Sequence, residues 1–321
     1  MRILVTGANG QVGHELLRAL AEKSSASRQI IPATRDGALE DGTPCGCIDL
    51  ADIDGLPKAL ARIAPNLIIN AAAYTAVDRA EDEPELATRI NADAVGALGA
   101  WAAAHAARVV HYSTDYVFDG TAARPYLEDD PTHPLGVYGR SKLAGECALR
   151  ESGARHLILR TAWVYGARGH NFLRTMLRLA AEHDELRIVD DQIGAPTSAG
   201  LIAGVTASVV ARWCDPTAES GGRTLDGAYH VVAAGQTSWW GFARAIFARL
   251  AHVGIIERVP RLHAIRTGEY PTRAKRPAYS VLDTSRLRET FGIDLPDWQA
   301  ALDSVVDELV RLLNPARPSG A

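Results

Sequence analysis

Met1-Arg2-Ile3-Leu4-Val5-Thr6 runs straight into Gly7-Ala8-Asn9-Gly10-Gln11-Val12-Gly13, and Val12, Leu16 and Leu17 then open an apolar-faced helix. A strand, a G-x-x-G-x-x-G turn and a helix start, in that order at the head of the chain, leave few folds open. Glycine at positions 7, 10 and 13 lets the backbone turn tightly and approach a pyrophosphate. The phosphate charge then meets free N–H groups at the positive end of the helix. The glycine spacing alone is weak evidence; its place between strand and helix gives it meaning.

The same alternation continues through the first half. Short apolar or β-branched runs at 3–6, 29–33, 67–70, 109–113 and 157–160 read as strands. Between them, stretches rich in Ala, Leu, Glu and Arg at 12–22, 56–63, 85–105 and 139–151 read as helices. Near-continuous apolar strands joined by helices imply a parallel sheet covered on both faces. The expected fold is a Rossmann-like, doubly wound parallel α/β sheet with a smaller C-terminal substrate-binding lobe. A dinucleotide-binding domain over 1–165 would be followed by a lobe over 166–321, some of whose segments return to the first domain.

Past residue 166 the alternation fades, leaving a helix at 172–182, a loop at 190–197 and a strand-like stretch at 228–232. The Arg- and Pro-rich stretch 263–277 reads as a loop of the kind that carries ligand contacts. The small, polar tail 314–321 is expected to fray.

Composition excludes several classes of function. Apolar residues at 47%, charged residues at 22% and a net charge of -4 describe a soluble globular chain without the basic surface that nucleic acid or anionic membranes require. No apolar run reaches the roughly 20 residues of a spanning helix, and the first strand leaves no room for a signal peptide. Cys45, Cys47, Cys147 and Cys214 contain no CxxC pair, so neither a zinc site nor a disulfide framework is expected. A cytoplasmic enzyme with a small-molecule ligand fits these limits.

Cofactor preference is addressed at the end of the second strand, Ala33-Thr34-Arg35-Asp36. An arginine there can meet the 2′-phosphate of NADP, whereas an acidic residue holds the ribose of NAD. Arg35 favours NADPH, and Asp36 beside it leaves NADH open. Asp49 and Leu50 would bring a carboxylate and an apolar wall to the adenine, and Asn70-Ala71-Ala72-Ala73 ends a strand with small residues that leave space for the cofactor.

Chemistry is concentrated in Tyr138-Gly139-Arg140-Ser141-Lys142, which places a phenol and an ammonium one helical turn apart on one face. A tyrosine, with a pKa near 10, donates a proton more readily when a neighbouring cation lowers that value, and Lys142 would supply the cation. Lysine is the scarce base here, with only Lys23, Lys58, Lys142 and Lys275 among 34 basic residues. Its compact ammonium fits between a phenol and a ribose better than a guanidinium fork. Upstream, Ser113-Thr114-Asp115-Tyr116 lies at the C-terminal end of a strand, where parallel sheets bind ligands. Thr114 would hold a carbonyl oxygen together with Tyr138, and Asp115 and Tyr116 would reach sugar hydroxyls.

Gly7 to Gly13, Thr114, Tyr138 and Lys142 together resemble the extended short-chain dehydrogenases/reductases. The segments 70–78, 111–118, 160–165 (Arg-Thr-Ala-Trp-Val-Tyr) and 191–197 (Asp-Gln-Ile-Gly-Ala-Pro-Thr) resemble, within them, the dTDP-4-dehydrorhamnose reductase family. The resemblance, running from the first strand to about residue 283, implies reduction of dTDP-4-dehydro-L-rhamnose by NAD(P)H with Tyr138 as proton donor. It implies that Gln11, Val12, Ala73, Tyr74, Thr75 and Tyr112 lie along the cofactor, and that Trp163 lines or stacks on the sugar with Thr114 and Asp115. Some relatives bridge two subunits through magnesium held by glutamates. Glu15 matches one of these, but Gly200 stands where another is expected and offers no ligand. No metal, and a monomer or weak homodimer, are therefore expected.

The nearest alternatives share the fold and the Tyr/Lys pair. Sugar-nucleotide 4,6-dehydratases resemble Thr-Asp-Glu after the active-site strand; here the third residue is Tyr116, a poor base. A 4-epimerase would recycle its cofactor rather than consume it. A non-catalytic regulatory subunit of the same fold would not require Thr114, Tyr138, Lys142 and Trp163 together.

Overall fold

The computed structural model describes residues 1–23, 28–218 and 224–313, so the tail 314–321 lies outside the described residues. The first half contains strands β1 (Arg2–Thr6), β2 (Gln29–Thr34), β3 (Gly46–Cys47), β4 (Leu67–Asn70), β5 (Arg108–Thr114) and β6 (Arg155–Thr161). Its helices are α1 (Gln11–Glu22), α2 (Leu56–Ile63), α3 (Val77–Ala80), α4 (Pro84–Thr88), α5 (Ala94–Ala104) and α6 (Val137–Glu151). The second half adds short strands β7 (Val164–Tyr165), β8 (Glu185–Val189), β9 (Ile193–Gly194), β10 (Thr197–Ser198), β11 (Gly227–His230), β12 (Thr237–Ser238) and β13 (Arg261–Ile265). Its helices are α7 (Phe172–Glu182), α8 (Ala199–Trp213), α9 (Trp239–His252), α10 (Ser285–Phe291) and α11 (Trp298–Leu313).

A seven-stranded sheet in the order β11-β6-β5-β4-β1-β2-β3 forms the centre, parallel throughout. Strand order reverses between β1 and β4, the crevice where doubly wound sheets take up ligands. All four residues of β4 are buried, as a strand covered on both faces must be. One face packs Leu16 and Leu20 of α1 and Ile202, Val209 and Trp213 of α8 against β1, β4 and β5. The other packs Leu56, Leu60, Leu98 and Leu149 against the same strands. A separate core around Phe242, Phe247, Trp298 and Val306 holds α7, α9 and α11.

Two expectations need correction. The region beyond 166 is regular: α8, α9 and α11 are long helices, with α8 covering the sheet and β11 extending it. The stretch 263–277 is not all loop, because its first residues complete β13, which pairs in parallel with β8. A third reading needs refinement: the helix expected at 85–105 is interrupted by a π-helical turn at Arg89–Asp93. That bulge fits closely on α6, where a Cβ on Gly145 would lie 2.0 Å from the Asn91 carbonyl oxygen.

Candidate active site

The glycine turn has the shape its sequence implies. Gly7 has φ +65° and sits against β4's exit, where a Cβ would come 2.8 Å from Ala72 N. At Gly13 a Cβ would lie 2.0 Å from the Gly7 carbonyl oxygen. Gly10 caps α1 without any side-chain acceptor, so the N–H groups of the first helical turn keep their capacity for an anion. Gln11 and Val12 begin that turn, and Gln11 Oε1 accepts from Asn171 Nδ2 at 2.8 Å, tying the turn to the second lobe.

Arg35 is exposed at the end of β2. Thr34 Oγ1 donates to Asp36 Oδ1 at 2.8 Å and accepts from Gly37 N at 3.0 Å, so the Asp36 carboxylate is turned into its own loop. Thr34 is the first cause of the low pKa of this carboxyl, ahead of backbone hydrogen bonding. Asp49 Oδ1 accepts from Ala51 N at 2.9 Å, and Leu50 is core.

The rings of Tyr74 and Tyr112, two residues expected along the cofactor, are both held by protein contacts. The Tyr74 ring packs on Ala80 and Ala87, and its hydroxyl donates to Glu83 at 2.8 Å. The Tyr112 ring enters the core under α8, with its hydroxyl 2.7 Å from Thr206 Oγ1. The Tyr74 backbone is itself engaged, its N–H donating to Asn91 Oδ1 at 2.8 Å and its carbonyl accepting from Asn91 Nδ2 at 3.0 Å. Ala73 flanks Tyr74, and Thr75 is exposed.

The C-terminal end of β5 and the start of α6 bring the chemistry together. Tyr138 is half-buried beside Thr114, and Tyr116 meets its ring edge-on at 5.5 Å. Thr114 Oγ1 donates to Asp115 Oδ1 at 3.0 Å and accepts from Tyr116 N at 3.2 Å. Burial pushes the Asp115 carboxyl up to about 6, against hydrogen bonds from Ser280 and Thr114.

The electrostatics differ from the sequence argument. Burial pushes the Tyr138 phenol up to about 12; its hydrogen bond with Thr114 acts in the opposite direction and the Asp115 charge adds to the rise. Burial also pushes Lys142 down to about 7, with Glu146 partly sustaining its charge. Lys142 Nζ lies 3.2 Å from Nε2 of His111, a residue that residue-type reasoning left without a role. Desolvation outweighs the cation on which the expected acidification depended.

Trp163 has φ +47°, a conformation that costs a bulky side chain about 1–3 kcal/mol. Its indole stacks on Trp239 at 3.5 Å and 5°. A Cβ on Gly194 would lie 2.5 Å from Trp163 Cε2, so the motifs at 160–165 and 191–197 interlock here. Trp239, unremarked in the sequence, donates from Nε1 to Gln192 Oε1 at 3.2 Å. A cavity of about 400 Å³ beside it is lined by Phe172, Met176, Gln192, Tyr270 and Arg276. Arg276 also came without a sequence signal beyond the basic character of its loop. It donates to Asp78 Oδ2 at 2.6 Å and hydrogen-bonds with Tyr116, linking the cavity to the Tyr138 side of the cleft.

Glu15 is paired with Arg18 at 2.9 Å, and a Cβ on Gly200 would stand 3.8 Å from Glu15 Oε2. Among the described residues no group of three or more His, Cys, Asp or Glu side chains is placed to hold a metal ion, and no helix is long and apolar enough to cross a membrane.

The family model described as the RmlD substrate binding domain matches residues 1–311. A dTDP-4-dehydrorhamnose reductase of Burkholderia thailandensis is 49% identical over 316 residues, covering 97% of this chain and 99% of that one. One from Escherichia coli K12 is 44% identical over 309 residues, covering 96% and 98%. Among solved structures, a dTDP-4-dehydrorhamnose reductase of Clostridium acetobutylicum superimposes with a TM-score of 0.84 at 35% identity, covering 97% of this chain and 100% of that one. One from Bacillus anthracis, in complex with NADP, gives 0.82 at 32%, covering 96% and 99%. Matched over residues 1–311 by the family model, and 49% identical to one reductase over 97% of its length, the chain belongs to the dTDP-4-dehydrorhamnose reductase family.

Proposed function

We propose that this protein reduces the C4 ketone of dTDP-4-dehydro-L-rhamnose to the alcohol, with NADPH as the preferred reductant. The reading rests on the Thr114–Tyr138 hydroxyl pair at the C-terminal edge of β5, beside a glycine turn into which no side chain would fit. When bound, the reduced nicotinamide supplies hydride to the ketone carbon. Tyr138 Oη gives its proton to the ketone oxygen, and Thr114 Oγ1, turning its own proton from Asp115 to that oxygen, holds it by hydrogen bonding. A phenol raised to about 12 is fully protonated at neutral pH, which is the state a donor needs. The developing alkoxide is a stronger base than a phenolate, so proton transfer runs downhill without prior acidification. Lys142 supplies a nearby ammonium for the ribose of the cofactor. Trp163 and Trp239 wall the sugar, with Asp115 and Tyr116 reaching its hydroxyls. The cavity lined by Gln192 and Arg276 extends the cleft in the direction a nucleotide would occupy.

The test is incubation of the purified protein with NADPH and a panel of dTDP- and UDP-4-keto sugars. Oxidation of one NADPH per dTDP-sugar reduced supports the reading; product formed without net cofactor consumption replaces it with epimerisation. The preference for NADPH is supported by Arg35 standing exposed while Asp36 is bound to Thr34. Arg35→Ala is accordingly expected to weaken NADPH about tenfold or more, in line with loss of a charge-assisted bond, and NADH little. Equal losses for the two cofactors would remove Arg35 from phosphate recognition.

A further inference from the structure

Parallel register sets three polar side chains side by side across the centre of the sheet. Thr6 of β1 is paired with Asn70 of β4, and Asn70 with His111 of β5. All three are buried, with exposures of 1% each. Thr6 Oγ1 donates to Asn70 Oδ1 at 2.6 Å, Asn70 Nδ2 lies 3.2 Å from His111 Nδ1, and His111 Nε2 lies 3.2 Å from Lys142 Nζ. A row of this kind in a sheet interior costs desolvation that apolar side chains would not, so it calls for a physical role.

We propose that His111 is the positioning residue for Lys142, holding the lysine nitrogen at the cofactor cleft through a neutral imidazole whose tautomer is set by Asn70 and Thr6. The proposal rests on the reading of Lys142 as part of the reductase site. Burial, and after it the charge of Lys142, hold His111 well below the usual imidazole range, so the ring has one donor and one acceptor nitrogen. With the Asn70 oxygen turned to His111 Nδ1–H, Nε2 accepts from the Lys142 ammonium, and the Asn70 amide donates to the Thr6 hydroxyl. With the amide turned the other way, Nε2–H donates to the neutral lysine amine, and Thr6 donates to Asn70. The chain thus has two polarities, one for each protonation state of a lysine poised near neutrality, and keeps the nitrogen in place in both. Other charged groups around this pair are few. Glu146 on α6 is paired with Arg160 of β6 and with Arg150 and still helps to sustain the Lys142 charge, and Asp115 follows β5. Glu81, after α3, accepts from Val137 N, Asp78 is paired with Arg276, and Arg89 and Asp93 of the π turn are exposed.

Two substitutions divide the histidine between its partners. Glutamine places an oxygen as many bonds from Cα as Nε2 and keeps an acceptor for Lys142; asparagine ends at the position of Nδ1 and keeps only the Asn70 contact. Turnover of dTDP-4-dehydro-L-rhamnose with NADPH is measured against pH for His111→Gln, His111→Asn and Lys142→Met, with thermal melting and NADPH binding as controls. His111→Asn is expected to lose about tenfold to hundredfold in kcat, the cost of a misplaced group. Its alkaline limb should move to lower pH, because an ammonium without its acceptor gives up its proton sooner. His111→Gln should recover at least about tenfold of that loss and keep the limb nearer its original place.

Equal kcat and pH dependence in the two His111 variants, with Lys142→Met impaired, would overturn the proposal and leave the reductase reading standing. Unimpaired Lys142→Met would overturn the proposal together with the role of Lys142 in the site. If the asparagine chain does not fold, nitrogen-15 spectra of labelled histidine in the unaltered protein decide instead, with His111 assigned by its loss in His111→Gln. A neutral ring throughout the active pH range supports the proposal, and an imidazolium overturns it.

Discussion

Tyr138→Phe is expected to lower kcat for the 4-keto sugar by about 10² to 10⁴ while leaving NADPH affinity within about twofold, because only a positioned acid is removed. The ring stays: its edge-on packing with Tyr116 needs no hydroxyl, and α6 is held by contacts elsewhere along its length. Only the phenolic proton and the hydrogen bond with Thr114 are lost. Near-normal turnover would move the donor role to another group with a usable proton, the Lys142 ammonium, brought down to about 7, or Asp115. Asp115, raised to about 6 by burial, is protonated below that value and loses its proton as pH rises through it. Were Asp115 the donor, the phenylalanine variant would retain activity that falls away above about pH 6. A Tyr138 donor instead gives uniformly low residual activity across that range.

The strands of the first half were legible because a buried parallel strand is apolar at nearly every position. The 3–6, 67–70 and 109–113 runs map directly onto β1, β4 and β5. The second half hid its order for opposite reasons. In α8, Ile202, Val205, Thr206, Val209, Val210 and Trp213 are all buried, so a helix wedged between the sheet and the second lobe shows no polar face from which to read a period of 3.6. Strands β7, β9, β10 and β12 are two residues long and carry no periodicity at all. In β13 the run Arg-Leu-His-Ala-Ile looks like loop because most of it is exposed and only Ile265 is buried.

The site divides in the same way. The glycine turn and the i, i+4 placement of Tyr138 and Lys142 follow from local geometry, which sequence spacing encodes. Desolvation does not, because it depends on what α6 packs against; hence Lys142 falls toward neutrality and Tyr138 rises, where spacing alone implied a phenol made acidic. Motifs likewise named Tyr74 and Tyr112 without saying which way their rings turn. Trp239, Arg276 and His111 enter from strands, helices and loops distant in sequence, and no spacing rule links them.

Arg160→Met should destabilise the fold by about 3–5 kcal/mol, the range for breaking a buried ion pair from one side. Arg160 and Glu146 are 2% and 0% exposed at the side chain, and the guanidinium donates from Nε and Nη2 to the two carboxylate oxygens at 2.9 and 2.8 Å. Nη1 donates to the Glu128 carbonyl at 3.0 Å. These bonds clamp β6 to α6, the helix that carries Tyr138 and Lys142. Burial works to raise the Glu146 carboxyl, but the Arg160 hydrogen bonds and charge outweigh it and leave the pKa depressed. A depressed carboxyl contributes stability above its unfolded pKa and loses it as pH falls through the folded value. Wild type should therefore lose this increment in acid, and Arg160→Met should have none of it to lose. In the variant Glu146 keeps Arg150, a half-exposed partner at 2.9 Å, and the Lys142 charge. Removing both charges relieves the uncompensated carboxylate, so Glu146→Leu/Arg160→Met should recover most of the single-variant loss in denaturant midpoint. A double variant as unstable as Arg160→Met would mean that the loss came from packing against Phe118, over whose ring the guanidinium lies at 5.2 Å, and not from the stranded charge.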